Sequence, residues 1–237
     1  MLHIFTLWYG KKYSVENVNN LYKSIKKFYK KPFTFYCYTD KKDATPSAKF
    51  TRGIKILPFD RTRYPAYEGA WPKLEFFQDN FVKYKKGDEC ICLDIDQEIV
   101  NDPTPLFEIE VPEGYIGSLH KWWNQPPDVD IDGGFYKWIP NTMNYIPEKF
   151  FPEYQKWQNH YFDSRKVTIP FMGEQNFVFE NVKGYVHAPG HLAARWRDDK
   201  ATQLNYSYQQ LEDMDWLRIG GVWCEHVCLI HYSKYIG

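Results

Sequence analysis

The chain predicts an α/β fold: a single domain whose mainly parallel sheet is flanked by helices. Two observations carry this. Residues 1–39 run strand, helix, strand, and a second helical stretch from Trp71 feeds directly into the apolar run Glu89 to Leu93, the alternation that builds parallel sheets. A length of 237 residues lets one large domain bury most of its apolar surface without disulfide or metal staples.

The elements follow in order. Met1 to Gly10 is apolar and reads as the first strand, without the basic leader and small-residue cleavage site of a secretory signal. Ser14 offers an N-cap, and Val15, Val18, Leu21, Tyr22, Ile25, Phe28 and Tyr29 recur at steps of three and four, which predicts a helix with a lysine-rich outer face. Pro32 stops it, and Phe33 to Tyr38 alternates aromatics and Thr as a second strand ended by Thr39-Asp40. Residues 40–49 are polar and loop-like, Ile54 to Leu57 reads as a short strand, and 61–70 carries turn residues. Pro72 suits a helix's first turn, and Leu74, Phe77, Phe81 and Val82 extend that helix to Lys86-Gly87. Beyond the strand Glu89 to Leu93, Tyr115 to Leu119 resembles a strand, 122–132 a polar loop, and Pro147 to Tyr161 a helix.

Composition narrows the partners. Thirty basic and thirty acidic residues balance, which removes any general electrostatic case for nucleic acid or an anionic membrane. No apolar run approaches the ~20 residues of a membrane span. Cysteines number five, and Cys37, Cys90 and Cys92 sit in apolar strand-like runs as small hydrophobes, so a reduced, cytoplasmic setting is expected. Cys224, His226 and Cys228 have a zinc-like spacing but no second pair at the usual spacing, and are read as free strand residues. Aromatics reach 19% with nine Trp, more than a core of this size needs, and such rings suit sugar faces and nucleobases. Trp122, Trp123 and Trp138 form either an acceptor platform or rings folded over the core.

The run Ile91-Cys92-Leu93-Asp94-Ile95-Asp96 delivers two carboxylates, one residue apart, at a strand's end. Strand alternation puts both on one face, where their repulsion invites a divalent cation such as Mg²⁺ or Mn²⁺. Open parallel sheets bind ligands outside the carboxyl ends of their strands, where Trp8-Tyr9-Gly10 and Thr39-Asp40 belong as well. A merely capped strand end is the plainer reading of the pair alone.

Taken in order, these motifs resemble nucleotide-sugar glycosyltransferases of the GT-A fold, family 8 and its relatives. The segments are Trp71-Pro72-Lys73-Leu74-Glu75-Phe76-Phe77, then Asp88, Leu93 to Val100, and Asp102-Pro103-Thr104-Pro105-Leu106-Phe107. Weaker matches are Asp132-Gly133-Gly134-Phe135, Glu174-Gln175-Asn176 and Leu229-Ile230-His231-Tyr232. The resemblance implies one Rossmann-like domain over 1–237, with 1–107 as the nucleotide-binding half and 108–237 as the acceptor and sugar half. It implies transfer of a sugar from a nucleotide-diphosphate donor, UDP by default, to a glycan or other hydroxyl acceptor. Asp94, Asp96 and His231 would hold the metal, and an imidazole ligand favours Mn²⁺ over Mg²⁺. Thr6, Trp8, Tyr9, Asp40, Arg63, Lys73, Asp94, Gly133, Gly134 and Lys234 would border the donor. Tyr9 is preferred over Trp8 as the ring against the base. Asp132, Glu174 and Gln175 would serve catalysis, Asp132 or Glu174 as the base in an inverting reaction. Departures from the family's pattern, including the missing Lys-Pro-Trp ending, leave the stereochemistry open. Two rival readings stand beside this one: a haloacid dehalogenase-like phosphatase with Asp94 attacking phosphate, and a non-catalytic sugar-binding protein.

Overall fold

The fold is described from a computed structural model covering residues 1–40, 50–60, 69–121, 129–164, 173–196, 203–204 and 227–232. In chain order the elements are β1 (Leu2–Trp8), α1 (Val15–Phe28), β2 (Phe33–Thr39), β3 (Ile54–Pro58), β4 (Glu89–Leu93), β5 (Gln97–Ile99), α2 (Thr104–Phe107), β6 (Ile116–Leu119), β7 (Asp132–Trp138), α3 (Tyr145–Phe150), α4 (Tyr154–Asp163), α5 (Glu174–Asn181), β8 (Tyr185–His187), β9 (Ala193–Trp196), β10 (Gln203–Leu204) and β11 (Leu229–Tyr232).

The main sheet has seven strands in the order β3-β2-β1-β4-β7-β6-β8. β1 pairs in parallel with both β2 and β4, as the opening pattern predicts. One face of it packs Ile4, Phe35, Cys37 and Ile91 against Val18, Leu21 and Ile25 of α1. The other face packs Phe5, Leu7, Tyr36 and Tyr38 against Trp71, Leu74, Phe76 and Phe77. Both faces are thus covered, which explains why β1 reads as a continuous apolar run.

Three departures from the sequence reading follow. The helix expected to run from Trp71 to Lys86 is a 3₁₀ helix over Trp71–Phe77 with every residue buried. It leaves no solvent face for a longer amphipathic helix, and Gln78 turns to extended backbone before Asn80 takes a φ of 54°. The helix expected over Pro147 to Tyr161 is divided into α3 and α4 by a 3₁₀ turn at Phe151–Glu153, where Pro152 has no N–H to give to a helix ladder. β7 is antiparallel to β4 and β6 in the middle of the sheet, so the region after the 122–132 loop begins with a strand at Asp132. Trp138, on that strand, is 1% exposed and stacks 6.0 Å from Phe5. Of the two readings of Trp138, the ring folded into the core is the one found.

A second, four-stranded sheet in the order β10-β9-β11-β5 was not visible in the sequence. β4 lies in the first sheet and β5 in the second, only a turn apart. The segment Asp94-Ile95-Asp96 is that turn, closed by the Gln97 N–H donating to the Asp94 carbonyl at 3.2 Å. The two aspartates therefore sit on a corner between sheets rather than along one strand face.

Candidate active site

The corner explains how residues distant in sequence converge. β11 pairs antiparallel to β5 with His231 opposite Gln97, and the Tyr232 N–H donates to the Asp96 carbonyl at 2.9 Å. These backbone bonds bring an imidazole from the end of the chain to the two carboxylates. Ligand atoms of Asp94, Asp96 and His231 lie within 4.8 Å of one another. Two carboxylates and an imidazole, all partly exposed, suit a divalent ion of the Mn²⁺ or Mg²⁺ kind.

Each ligand is oriented by a neighbour. The Lys73 ammonium donates to Asp94 Oδ1 at 2.5 Å and to the Gly133 carbonyl at 2.7 Å. Burial pulls the lysine's pKa down, but the Asp94 and Glu174 carboxylates outweigh it and the net direction is up. Lys73 is 4% exposed, so it is not a solvated first-turn lysine: its ammonium is held between Asp94 and the Gly133 carbonyl. Gln97 accepts from the Asp94 N–H at 3.1 Å and sets its amide nitrogen 3.4 Å from His231 Nδ1. The Tyr13 hydroxyl donates to Asp96 Oδ2, and burial with the Asp96 charge pushes the phenol's pKa far up.

β7 passes beside this corner. A Cβ on Gly134 would lie 2.7 Å from Gln97 Nε2, 2.9 Å from Asp132 Oδ2 and 3.3 Å from Asp94 Oδ2. One on Gly133 would lie 2.8 Å from Glu174 Oε2 and 3.2 Å from the Tyr136 hydroxyl. The glycine pair is therefore required by close approach of side chains from three elements. Gln175 Oε1 accepts from the Gly133 N–H at 3.3 Å, which ties α5 to β7. Gly173, with a φ of 114°, turns the chain so that Glu174 and Gln175 open α5 against this strand.

Glu174 is 4% exposed, and its Oε1 is buried without a hydrogen-bond partner. The buried Tyr136 hydroxyl lies beside this carboxyl. Burial raises the Glu174 pKa from 4.5 to about 7, against the lowering effect of Lys73.

Asp94, Asp96, Lys73, Gly133, Gly134, Asp132, Glu174, Gln175 and His231 are thus brought together. Others are not. Thr6 is fully buried with an unpartnered Oγ1, inside the first strand rather than on the wall of the site. Trp8 is core, its Nε1 donating to the Tyr13 carbonyl at 2.9 Å. Tyr9 is half-buried with its hydroxyl on the Gly69 carbonyl, and Asp40 is half-buried at the end of β2. Asp88 lies at the amino end of β4, away from the Asp94 corner, accepting from His3 Nε2 at 3.0 Å and the Lys85 N–H at 2.7 Å. Arg63, Lys234, Trp122, Trp123, Cys224 and His226 lie outside the described residues. Tyr13 and Tyr136 were not anticipated, and nothing in their sequence context sets them apart from the chain's other tyrosines. Gln97 stands inside the Leu93 to Val100 segment, where the corner geometry alone gives it a task.

Neither a protein-family signature nor a characterised protein matches this chain by sequence. The architecture, a mostly parallel seven-stranded sheet between helices in one domain, is of the GT-A, Rossmann-like class. Among solved structures it is similar to the galactosyltransferase LgtC in complex with donor and acceptor sugar analogues, at 11% identity and a TM-score of 0.62 over 98% of this chain and 87% of that one. An active-site glutamine-to-glutamate mutant of LgtC gives 10% identity and 0.61 over 98% and 88%. The glycosyltransferase GlyE of Streptococcus pneumoniae TIGR4 gives 12% identity and 0.53, with 81% of this chain matched to 47% of that one. At such identities the shared property is the fold. No helix among the described residues is long and apolar enough to cross a membrane. Cys37, Cys90, Cys92 and Cys228 are buried free thiols.

Proposed function

We propose that the protein is a metal-dependent glycosyltransferase that moves a sugar from a nucleotide-diphosphate donor, UDP favoured, to a hydroxyl of a glycan or glycoconjugate. The observation that carries this is the Asp94, Asp96 and His231 cluster at the corner where β4 leaves the main sheet. The carboxyl edge of a mainly parallel sheet is where a nucleotide is expected. The likeness to a galactosyltransferase solved with donor and acceptor analogues supports the same reading. Residues 1–107 would bind the nucleotide and 108–237 the sugar and acceptor. Tyr9, Asp40, Arg63 and Lys234 would contribute to the donor side.

When bound, the ion would supply a Lewis acid that offsets charge on the departing nucleoside diphosphate. The chain's own residues do the rest. Lys73 and Gln97 hold Asp94, Tyr13 holds Asp96, and the Gly133-Gly134 pair lets Asp94, Gln97 and Glu174 close against β7. The acceptor hydroxyl attacks the anomeric carbon while the bond from that carbon to the diphosphate oxygen breaks and its electrons leave with the diphosphate. The hydroxyl's proton passes to a carboxylate, for which Glu174 is the better candidate because a pKa of about 7 suits proton exchange near neutral pH.

The test is thermal unfolding with UDP-, GDP-, CDP- and dTDP-sugars, each with and without Mn²⁺, since a ligand of the native state at 100 times its Kd adds about 2.7 kcal/mol. A shift with one nucleotide sugar that needs Mn²⁺ supports the proposal, and no shift with any of them contradicts it.

A further inference from the structure

A second group of side chains, two strands away, has ligand geometry of a different chemistry. His120 follows the last residue of β6, His187 ends β8, which is parallel to β6, and Asp130 stands two residues before β7. In the sheet order β4-β7-β6-β8, β7 separates this group from the Asp94 corner. The His120 and His187 rings are 3.6 Å apart between centroids and tilted by 40°. His120 Nδ1 lies 3.4 Å from Asp130 Oδ1, and His187 Nε2 lies 3.7 Å from Asp130 Oδ2 and 2.8 Å from the Asp130 carbonyl. Ligand atoms of all three lie within 4.8 Å of one another.

We propose that His120, Asp130 and His187 form a second cation site, for a borderline-soft transition ion of the zinc class. Zinc bonds of about 2.0–2.2 Å at tetrahedral angles put neighbouring ligand atoms ~3.4 Å apart, close to the spacings from Asp130 to each imidazole. Two imidazoles and one carboxylate make a softer donor set than the two carboxylates and one imidazole at the first corner. All three side chains are partly exposed, at 13%, 40% and 19% for His120, Asp130 and His187, so an ion can enter and keep a water as fourth ligand. Without the ion, the His187 Nε2–H donates to the Asp130 carbonyl; coordination through Nε2 requires that proton to move to Nδ1 or leave. The bound ion would tie the ends of β6 and β8 to the start of β7, the strand that carries Asp132, Gly133 and Gly134. This inference does not depend on the sugar-transfer reading.

The test titrates Zn²⁺ into the full chain against a chromophoric chelator, comparing wild type with His187→Gln, His120→Gln and Asp96→Asn, each checked for fold by circular dichroism. Wild type and Asp96→Asn should share one zinc equivalent whose affinity falls a hundredfold or more in each histidine variant, and this zinc should raise the unfolding temperature of the first two only. Either histidine variant that folds is sufficient, and if neither folds without zinc, wild type stripped by chelator must lose and regain that same equivalent. Zinc uptake unchanged by the histidine substitutions, or abolished by Asp96→Asn, overturns the proposal.

Discussion

Asp94 and Glu174 flank the same glycine pair and are held in opposite ways. Asp94 is partly exposed, with Lys73 donating to one oxygen and Gln97 closing its backbone turn, so its charge is paired before any ion arrives. Glu174 is buried with an oxygen that nothing satisfies, and its pKa is pushed up to about 7. One carboxyl meets the Lys73 ammonium, and the other is shielded from water and holds its proton more tightly. The difference comes from placement rather than residue type: a corner between two sheets for Asp94, a covered helix start for Glu174.

Breaking the charged side should have the largest effect. Asp96→Asn removes one of three ligands, and transfer activity should fall about a thousandfold, read from kcat/KM at saturating Mn²⁺. Retention of activity within a few fold would mean that the cluster does not serve the reaction.

Glu174→Gln probes the other side and should separate stability from activity. In wild type the folded carboxyl keeps a proton that the unfolded chain releases at its ordinary pKa of 4.5. Its contribution to stability is therefore full below pH 4.5 and is lost as pH rises through about 7. That displacement corresponds to about 3 kcal/mol, so the variant should be more stable than wild type by up to that amount at pH 8 and little different at pH 4, measured by urea unfolding. If Glu174 is the base, the same variant loses activity while gaining stability, and the acid limb near pH 7 in kcat/KM disappears.

Lys73→Met leaves Asp94 and Glu174 without their cation and, with Asp94 partly exposed, should cost about 3 kcal/mol, the low end for a broken buried pair. Added Mn²⁺ should restore part of this in the variant and less in wild type, because the ion replaces the missing positive charge beside Asp94. Gly134→Ala should have the smallest effect, about 1–2 kcal/mol, since a Cβ 2.7 Å from Gln97 Nε2 forces buried side chains to shift. Thermal unfolding and Mn²⁺ affinity both report it.

The same contrast governs what the sequence made legible. The first sheet's β1, α1, β2 and β4 are local patterns: Val15 to Tyr29 repeats with a helical period, and Phe33 to Tyr38 with a strand's. The Asp94 and Asp96 pair was visible because both residues lie at the end of one such run. His231 was reachable only by resemblance, since its approach depends on β11 pairing with β5, a contact no periodicity announces. Tyr13, Gln97 and Tyr136 act through long-range contacts and are ordinary in sequence. Lys73 shows the limit most clearly: at a helix start it looks solvated, yet the glycines of β7 and the Asp94 corner close over it. Trp138 is the reverse case, a ring whose apparent availability vanished once β7 entered the middle of the sheet.

The most direct measurement is isothermal titration of UDP into the wild-type protein and Asp96→Asn, each with and without Mn²⁺. Wild type should bind UDP with an affinity that falls at least tenfold when Mn²⁺ is withheld, and Asp96→Asn should show no such dependence. UDP binding that is indifferent to both the ion and the substitution would contradict the proposed metal-bridged donor site.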